Sequence, residues 1–307
     1  MPMKKQYFSP DQDGFYGVYY PNPAPSKKAF IAMLGDSSDD RMVVSGVKWL
    51  HRHGCNVMAM SPDKQDYGHH DYPLERIERA IAVLKTHSND KIGIVGASTT
   101  GMVALVAASH FPKLTLTIAI SPPDFIMEGF YQGNKDGVKE WPSNGSSLSW
   151  QSKPLPYLPY AYRHPQYWQQ IMADSRTSGD KIASRPMFDE SERLHPVQEE
   201  ERIKVENIKG KLIFVGAEDD VLWDTCKYIR RMMKRLDELP HNCTAEALLY
   251  EHGTHFVFPQ SMLTTMLPVG SRLLIRMMFK AGRQYPKECR QTRLDIDRKL
   301  SQAIAEW

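Results

Sequence analysis

The chain has no hydrophobic run long enough to cross a bilayer, no block of one charge sign, no internal repeat and no low-complexity tract. Each absence excludes a class of function. A membrane helix needs about 20 predominantly apolar residues in succession, so no membrane span is expected. The opening Met-Pro-Met-Lys-Lys-Gln-Tyr carries two lysines but no apolar stretch behind them, and does not read as a secretory signal. Lys and Arg number 39 against 36 Asp and Glu, a balance too mild and too dispersed for a nucleic-acid partner. The four cysteines, Cys55, Cys226, Cys243 and Cys289, are scattered without C-x-x-C spacing, so they indicate no zinc site. They read as reduced thiols of a cytoplasmic protein. His51, His53, His69 and His70 are adjacent or two apart, spacings that do not bring two rings to one face of a helix. They are expected to be solvated surface histidines rather than metal ligands.

What is present is a βα rhythm. The 307 residues are 41% hydrophobic and 24% charged, ordinary for a globular protein and enough for one large α/β domain. Weak strand candidates at Gln6–Ser9 and Phe15–Tyr20 suit an antiparallel edge hairpin. Strands are then expected at Lys28–Leu34, Asn56–Met60, Lys91–Val95, Leu114–Ile120, Lys211–Val215 and Glu246–Tyr250. Helices are expected at about 41–52, 72–88, 223–239 and 268–280, with an amphipathic helix in the tail. Strands separated by helices predict a mostly parallel sheet with helices on both faces. The rhythm breaks over 122–206, a stretch rich in Pro, Gly, Tyr and Trp and too long for an ordinary connection. It reads as a lid inserted within a single domain spanning 1–307. Its Tyr157, Tyr160, Tyr162, Tyr167 and Trp168 are candidates for an acyl pocket or for lid packing. Lys153, Arg163 and His164 are candidates for meeting a phosphate-bearing group, with a solvated face the expected reading for any single one of them.

Three strand ends carry chemistry. The run Lys91-Ile-Gly-Ile-Val-Gly-Ala-Ser98 stops at a small-residue turn and continues into the apolar stretch Met102 to Ala108, the layout of a nucleophile elbow. A serine there needs a base, and the base needs an orienting acid. Both follow in the order Ser, Asp, His, at the ends of Lys211-Leu-Ile-Phe-Val-Gly-Ala-Glu-Asp-Asp220 and Ala247-Leu-Leu-Tyr-Glu-His-Gly-Thr-His255. In an open α/β sheet, ligands bind at the carboxyl ends of the strands. His252 competes with His255 for the base, and Asp219 with Asp220 for the acid; spacing from Gly216 alone selects Asp219. The backbone N–H of Thr99 and one near Ser37 are candidates for an oxyanion hole.

Three segments carry a family resemblance: Val95-Gly-Ala-Ser-Thr-Thr-Gly-Met, Gly216-Ala-Glu-Asp-Asp-Val-Leu-Trp-Asp and Tyr250-Glu-His-Gly-Thr-His-Phe. The chain resembles the C-terminal catalytic domain of acyl-CoA thioesterases and bile acid-CoA:amino acid N-acyltransferases, a dienelactone-hydrolase-like branch of the α/β-hydrolases. That resemblance implies an α/β-hydrolase fold and a Ser98, Asp220, His255 triad. Trp223, three positions after Asp220, is what selects that acid. The family's glycine two places after the nucleophile is replaced by Thr100, with Gly101 one place later. Asp36 sits in a loop that is often glycine-rich in relatives. Transferase members use cysteine, so Ser98 favours hydrolysis. The expected activity is hydrolysis of an acyl ester or thioester, foremost an acyl-CoA, with a small-molecule substrate as partner and no cofactor. The alternatives are a carboxylesterase indifferent to coenzyme A, an acyltransferase, and a catalytically dead binding module.

Overall fold

A computed structural model describes residues 4–35, 37–62, 68–268 and 270–307. Asp36 lies outside the described residues. The chain opens with β1 (Gln6–Phe8), the short α1 (Pro10–Asp13) and β2 (Tyr16–Tyr20). Next come β3 (Lys28–Met33), α2 (Arg41–Arg52), β4 (Asn56–Ser61), β5 (Tyr72–Pro73) and α3 (Glu75–Thr86). They are followed by β6 (Lys91–Ala97), α4 (Thr99–His110) and β7 (Leu114–Ile120). Between β7 and β12 (Lys209–Ala217) lie β8 (Glu128–Lys135), β9 (Val138–Ser146), β10 (Leu148–Trp150), β11 (Lys153–Pro154), α5 (Gln166–Ser178) and α6 (Arg185–Leu194). The chain continues through α7 (Thr225–Glu238), β13 (Asn242–Tyr250), α8 (Gln260–Met266), α9 (Ser271–Met278), α10 (Lys280–Gln284) and α11 (Pro286–Glu306).

Among the described residues, eight strands form the main sheet in the order β1-β2-β4-β3-β6-β7-β12-β13. β1, β2 and β4 pair antiparallel, and from β4 to β13 every neighbour is parallel. Alternation assigns the side chains to two cores. Ala29, Ile31 and Met33 of β3 face one core with Ile92 and Ile94 of β6 and Leu212 and Phe214 of β12. Phe30, Ala32, Val95, Ile213 and Val215 face the other. The first core is covered by α3, α4, α7 and the β7–β12 insertion, the second by α2, α8, α9 and α11. α4 is apolar all round because Thr99 to Ala108 are buried throughout.

Departures from expectation have local causes. The helix expected from 72 begins at Glu75, because Tyr72 and Pro73 pair with Leu148 and Ser149 of the insertion. The region expected as one helix near 268–280 follows a separate α8 and ends at Phe279, whose extended backbone divides α9 from α10. His69 is not a solvated surface histidine: it is fully buried, with its ring 5.3 Å from that of Tyr72. No helix among the described residues is long and apolar enough to cross a membrane. All four cysteines are buried and unpaired. Burial pushes the thiols of Cys55 and Cys226 up to about 12, which makes them poor nucleophiles.

Candidate active site

β6 ends in the middle of the sheet and the chain must turn at once into α4. Ser98 occupies that turn with φ 61° and ψ −129°, a conformation that costs a non-glycine residue about 1–3 kcal/mol. The turn is held from three sides. The Ser98 amide donates to the carbonyl of Ile120 on β7 at 2.7 Å. A methyl group on Gly96 would lie 2.0 Å from the carbonyl oxygen of Thr100, so only glycine allows the strand and the helix start to come this close. The Thr100 hydroxyl reaches the carbonyls of Met33 at 2.5 Å and Ala97 at 2.7 Å, and lies 3.0 Å from the Ala97 amide. The threonine does not crowd the elbow. It fastens the elbow to the end of β3. Gly101 packs against β7, where a methyl group would meet the Ile120 carbonyl oxygen at 3.0 Å.

Asp220 follows the end of β12 and is buried. Its Oδ2 lies 2.8 Å from His255 Nδ1 and accepts the Thr225 hydroxyl at 2.5 Å. Its Oδ1 accepts the Leu222 amide at 2.9 Å. A carboxylate held by a hydroxyl, an amide and an imidazole is fixed in place and directs the ring it touches. His255 Nε2 is buried and carries no hydrogen bond. The carbonyl of His255 accepts the Ser121 hydroxyl at 3.1 Å, and the Ser121 carbonyl accepts the indole N–H of Trp223 at 3.1 Å. Trp223 in turn sets its ring edge-on to His255 at 4.9 Å.

The neighbouring carboxylate does something else. Asp219 Oδ1 accepts the amides of Gly253 at 2.9 Å and Thr254 at 2.7 Å, while Oδ2 meets His252 at 3.3 Å. Burial pushes the Asp219 carboxyl upward, against the pull of those two amides and His252. His252 stacks on Tyr285 at 3.7 Å, away from the cavity wall.

Ser98 and His255 share the wall of one cavity of about 360 Å³. Thr99 lines it at the first position of α4, where a helix leaves its N–H without an intrahelical partner. Ser37 was the expected second donor, and here the structure differs. Its amide donates to Asp40 Oδ2 at 3.1 Å, and Ser37 is absent from the cavity wall. The same loop reaches the cavity at Gly35, beside the carboxylate of Asp40 that caps α2 through Val43. The remaining wall comes largely from the insertion. Tyr160 and Tyr167 line it, whereas Tyr157, Tyr162 and Trp168 pack on the apolar core outside it. Arg163 is not a free cation, because it pairs with the buried carboxylate of Glu128 at 2.5 Å. Glu128 also accepts the amides of Asn144 and Tyr160, which ties β8, β9 and the aromatic segment together. Neither Glu128 nor Thr225 stands out in the sequence, since an isolated Glu or Thr has no spacing signal. Phe256 and Phe258 also line the cavity just after His255.

A family model described as BAAT / Acyl-CoA thioester hydrolase C terminal matches residues 72–269. No curated protein matches this chain significantly. Among solved structures the chain is similar to MGS-M1, an alpha/beta hydrolase enzyme from a Medee basin deep-sea metagenome library. The TM-score is 0.55 with 12% identity over 100% of this chain and 99% of that one. It is also similar to a dienelactone hydrolase candidate from Klebsiella pneumoniae subsp. pneumoniae MGH 78578, with TM-score 0.54 and 10% identity over 99% of each chain. At such identities the likeness speaks for the fold alone, which is that of the α/β-hydrolases. Matched over 72–269, a stretch that takes in the elbow, the acid and the histidine, the chain belongs to the BAAT/acyl-CoA thioester hydrolase C-terminal family and is a hydrolase of the α/β-hydrolase type.

Proposed function

We propose that this protein is a serine hydrolase that cleaves acyl esters or thioesters through an acyl-enzyme. The observation that carries the reading is His255, which holds Asp220 at Nδ1 and leaves Nε2 buried without a partner on the cavity wall it shares with Ser98. Ser98 Oγ attacks the carbonyl carbon while His255 Nε2 takes its proton. The oxyanion meets the Thr99 amide and the loop at Gly35, which replaces Ser37 in this role. The imidazolium returns the proton to the leaving group, the C–O or C–S bond breaks, and the acyl group stays on Ser98. Water, deprotonated by His255, then releases the acid and restores the serine. Residues 122–206 serve as a lid over the acyl group, and the unpaired thiols suit a reducing, cytoplasmic location.

Family membership favours a thioester of coenzyme A as the substrate. A second reading, a carboxylesterase indifferent to coenzyme A, is favoured by one observation: among the described residues that line the cavity there is no Lys or Arg. The test compares acyl-CoA with the matching simple ester, and wild type with Ser98→Ala. Hydrolysis should fall by several orders of magnitude in the variant, and a fluorophosphonate probe should label Ser98. Labelling of another serine, or full activity in Ser98→Ala, overturns the mechanism.

A further inference from the structure

The terminal helix carries a charge that the fold buries and does not answer. Arg293 of α11 is 3% exposed. Its Nε donates to Gln260 Oε1 at 3.0 Å, which ties α11 to the first residue of α8. Its Nη1 is buried and makes no hydrogen bond, and among the described residues no carboxylate forms an ion pair with it. The groups around it do not offset the charge. Arg290 has the same sign. Cys289, one turn earlier, stays a neutral thiol, because burial and then Asp219 push it up to about 11. Asp219 is itself committed to the amides of Gly253 and Thr254 and to His252. Glu288 is exposed.

Arg293 lines a small cavity where α9, α10 and α11 meet. Its volume is about 20 Å³, and Ile275, Arg276, Gly282, Pro286 and Cys289 complete the wall. Among the described residues on that wall there are two guanidinium groups and no carboxylate. α11 begins at Pro286, so the positive end of a 21-residue helix borders the same space. A charge taken out of water without a partner is costly. A cavity needs roughly 10–15 Å³ to hold one water, so this one takes a single particle of about that size. Water fits but is neutral. A phosphate or a carboxylate-bearing metabolite is too large, and a metal cation has the wrong sign. We propose that the cavity is a binding site for one small monovalent anion, chloride, held by Arg293 and Arg276 beside the start of α11. Bound there, the ion braces α9 and α10 against α11. The next residue back, Thr292, donates its hydroxyl to the carbonyl of His252 at 2.5 Å. The anion thereby steadies the helix that supports the histidine loop. None of this depends on the hydrolase reading.

The test follows thermal unfolding while potassium chloride replaces potassium gluconate at constant ionic strength. The wild-type melting temperature should rise by about 2–4 °C and then saturate, as for a ligand bound only by the folded state. The chloride NMR line should broaden in the presence of the protein and narrow again when bromide competes. Arg293→Gln should abolish both responses. Arg276→Ala alters an exposed side chain that the fold does not require; it should raise the half-saturating chloride concentration several-fold, since one of two attracting charges is lost. If Arg293→Gln does not fold, Arg276→Ala decides. A wild-type melting temperature indifferent to the exchange of anions overturns the proposal and leaves water as the occupant. A chloride response unchanged in Arg276→Ala, or persisting in a folded Arg293→Gln, places the ion elsewhere and overturns it too.

Discussion

Asp219 accepts the backbone amides of Gly253 and Thr254, while its neighbour Asp220 accepts the ring of His255. Two consecutive carboxylates thus hold one histidine, one through its loop and the other through its imidazole. Their substitutions should fail differently. Asp220→Asn should lower kcat by about 10⁴, because the wrong imidazole tautomer then prevails. Asp219→Asn should lower kcat far less but reduce the melting temperature, since weakening the acceptor of two buried amides costs about 1–3 kcal/mol. Kinetics and calorimetry on both variants decide the matter. A severe kcat loss confined to Asp219→Asn would exchange the two roles.

Thr100 links the elbow to the strand whose continuation carries Gly35. It does not line the cavity, so on the proposed mechanism it is a positioning residue. Thr100→Val keeps the shape and removes three hydrogen-bond contacts, so kcat should drop by about 10- to 100-fold with KM little changed. Thr100→Ser should restore most of the activity. If valine and serine behave alike, the methyl group rather than the hydroxyl matters.

The aromatic residues of the insertion divide into two sets. Tyr160→Ala opens the cavity and should raise KM more for bulky acyl groups than for acetyl. Trp168→Ala removes packing outside the cavity and should reduce stability by about 3 kcal/mol or less, since its side chain is only partly buried, with one KM effect for all acyl groups. A chain-length-dependent KM in Trp168→Ala would place that indole in the acyl path.

Glu199, at the base of the insertion, is held by Arg235 and Lys204, which lower its carboxyl from 4.5 to about 2. A folded value below the unfolded one means that the ionised carboxylate stabilises the fold above pH 4.5 and loses that contribution as the pH falls towards 2. The group is well exposed, so solvent screening limits the effect to about 1 kcal/mol or less. Urea midpoints of wild type and Glu199→Gln should differ at pH 7 and converge near pH 2. A constant gap across that range would show that the carboxylate's charge is not involved.

Much of the architecture was legible because burial on both faces of a parallel sheet leaves strong apolar runs. α2 and β7 fall where their patterns end, at Arg41–Arg52 and Leu114–Ile120. The elbow was legible from a compact signal, small residues between an apolar strand and an apolar helix. The acid was less so: glycine spacing pointed to Asp219, and only Trp223 marked Asp220, the carboxylate that the structure sets against His255. Ser37 misled because a loop amide near a strand end is available only if nothing nearer claims it, and Asp40 does. The insertion resisted reading because its order comes from contacts distant in sequence. Glu128 meets Arg163 across 35 positions, and Tyr72 meets Leu148 across more than twice that. Neither pairing leaves a periodic trace.

Trp223 belongs to two assemblies at once. Through Ser121 and its ring it supports His255, and through Phe188 it begins the aromatic wall that runs to Tyr167. Elsewhere the two assemblies come from separate stretches of chain, strand ends for the chemistry and the insertion for the wall. On the proposed mechanism the distal wall can be changed to admit a new substrate without touching the triad, so changes at Tyr160 or Tyr167 should combine additively with changes at Asp220 or His255. At Trp223 that independence ends. A lineage that changes its substrate range through this fold has many free moves along the insertion, and one tryptophan whose change also disturbs the setting of His255.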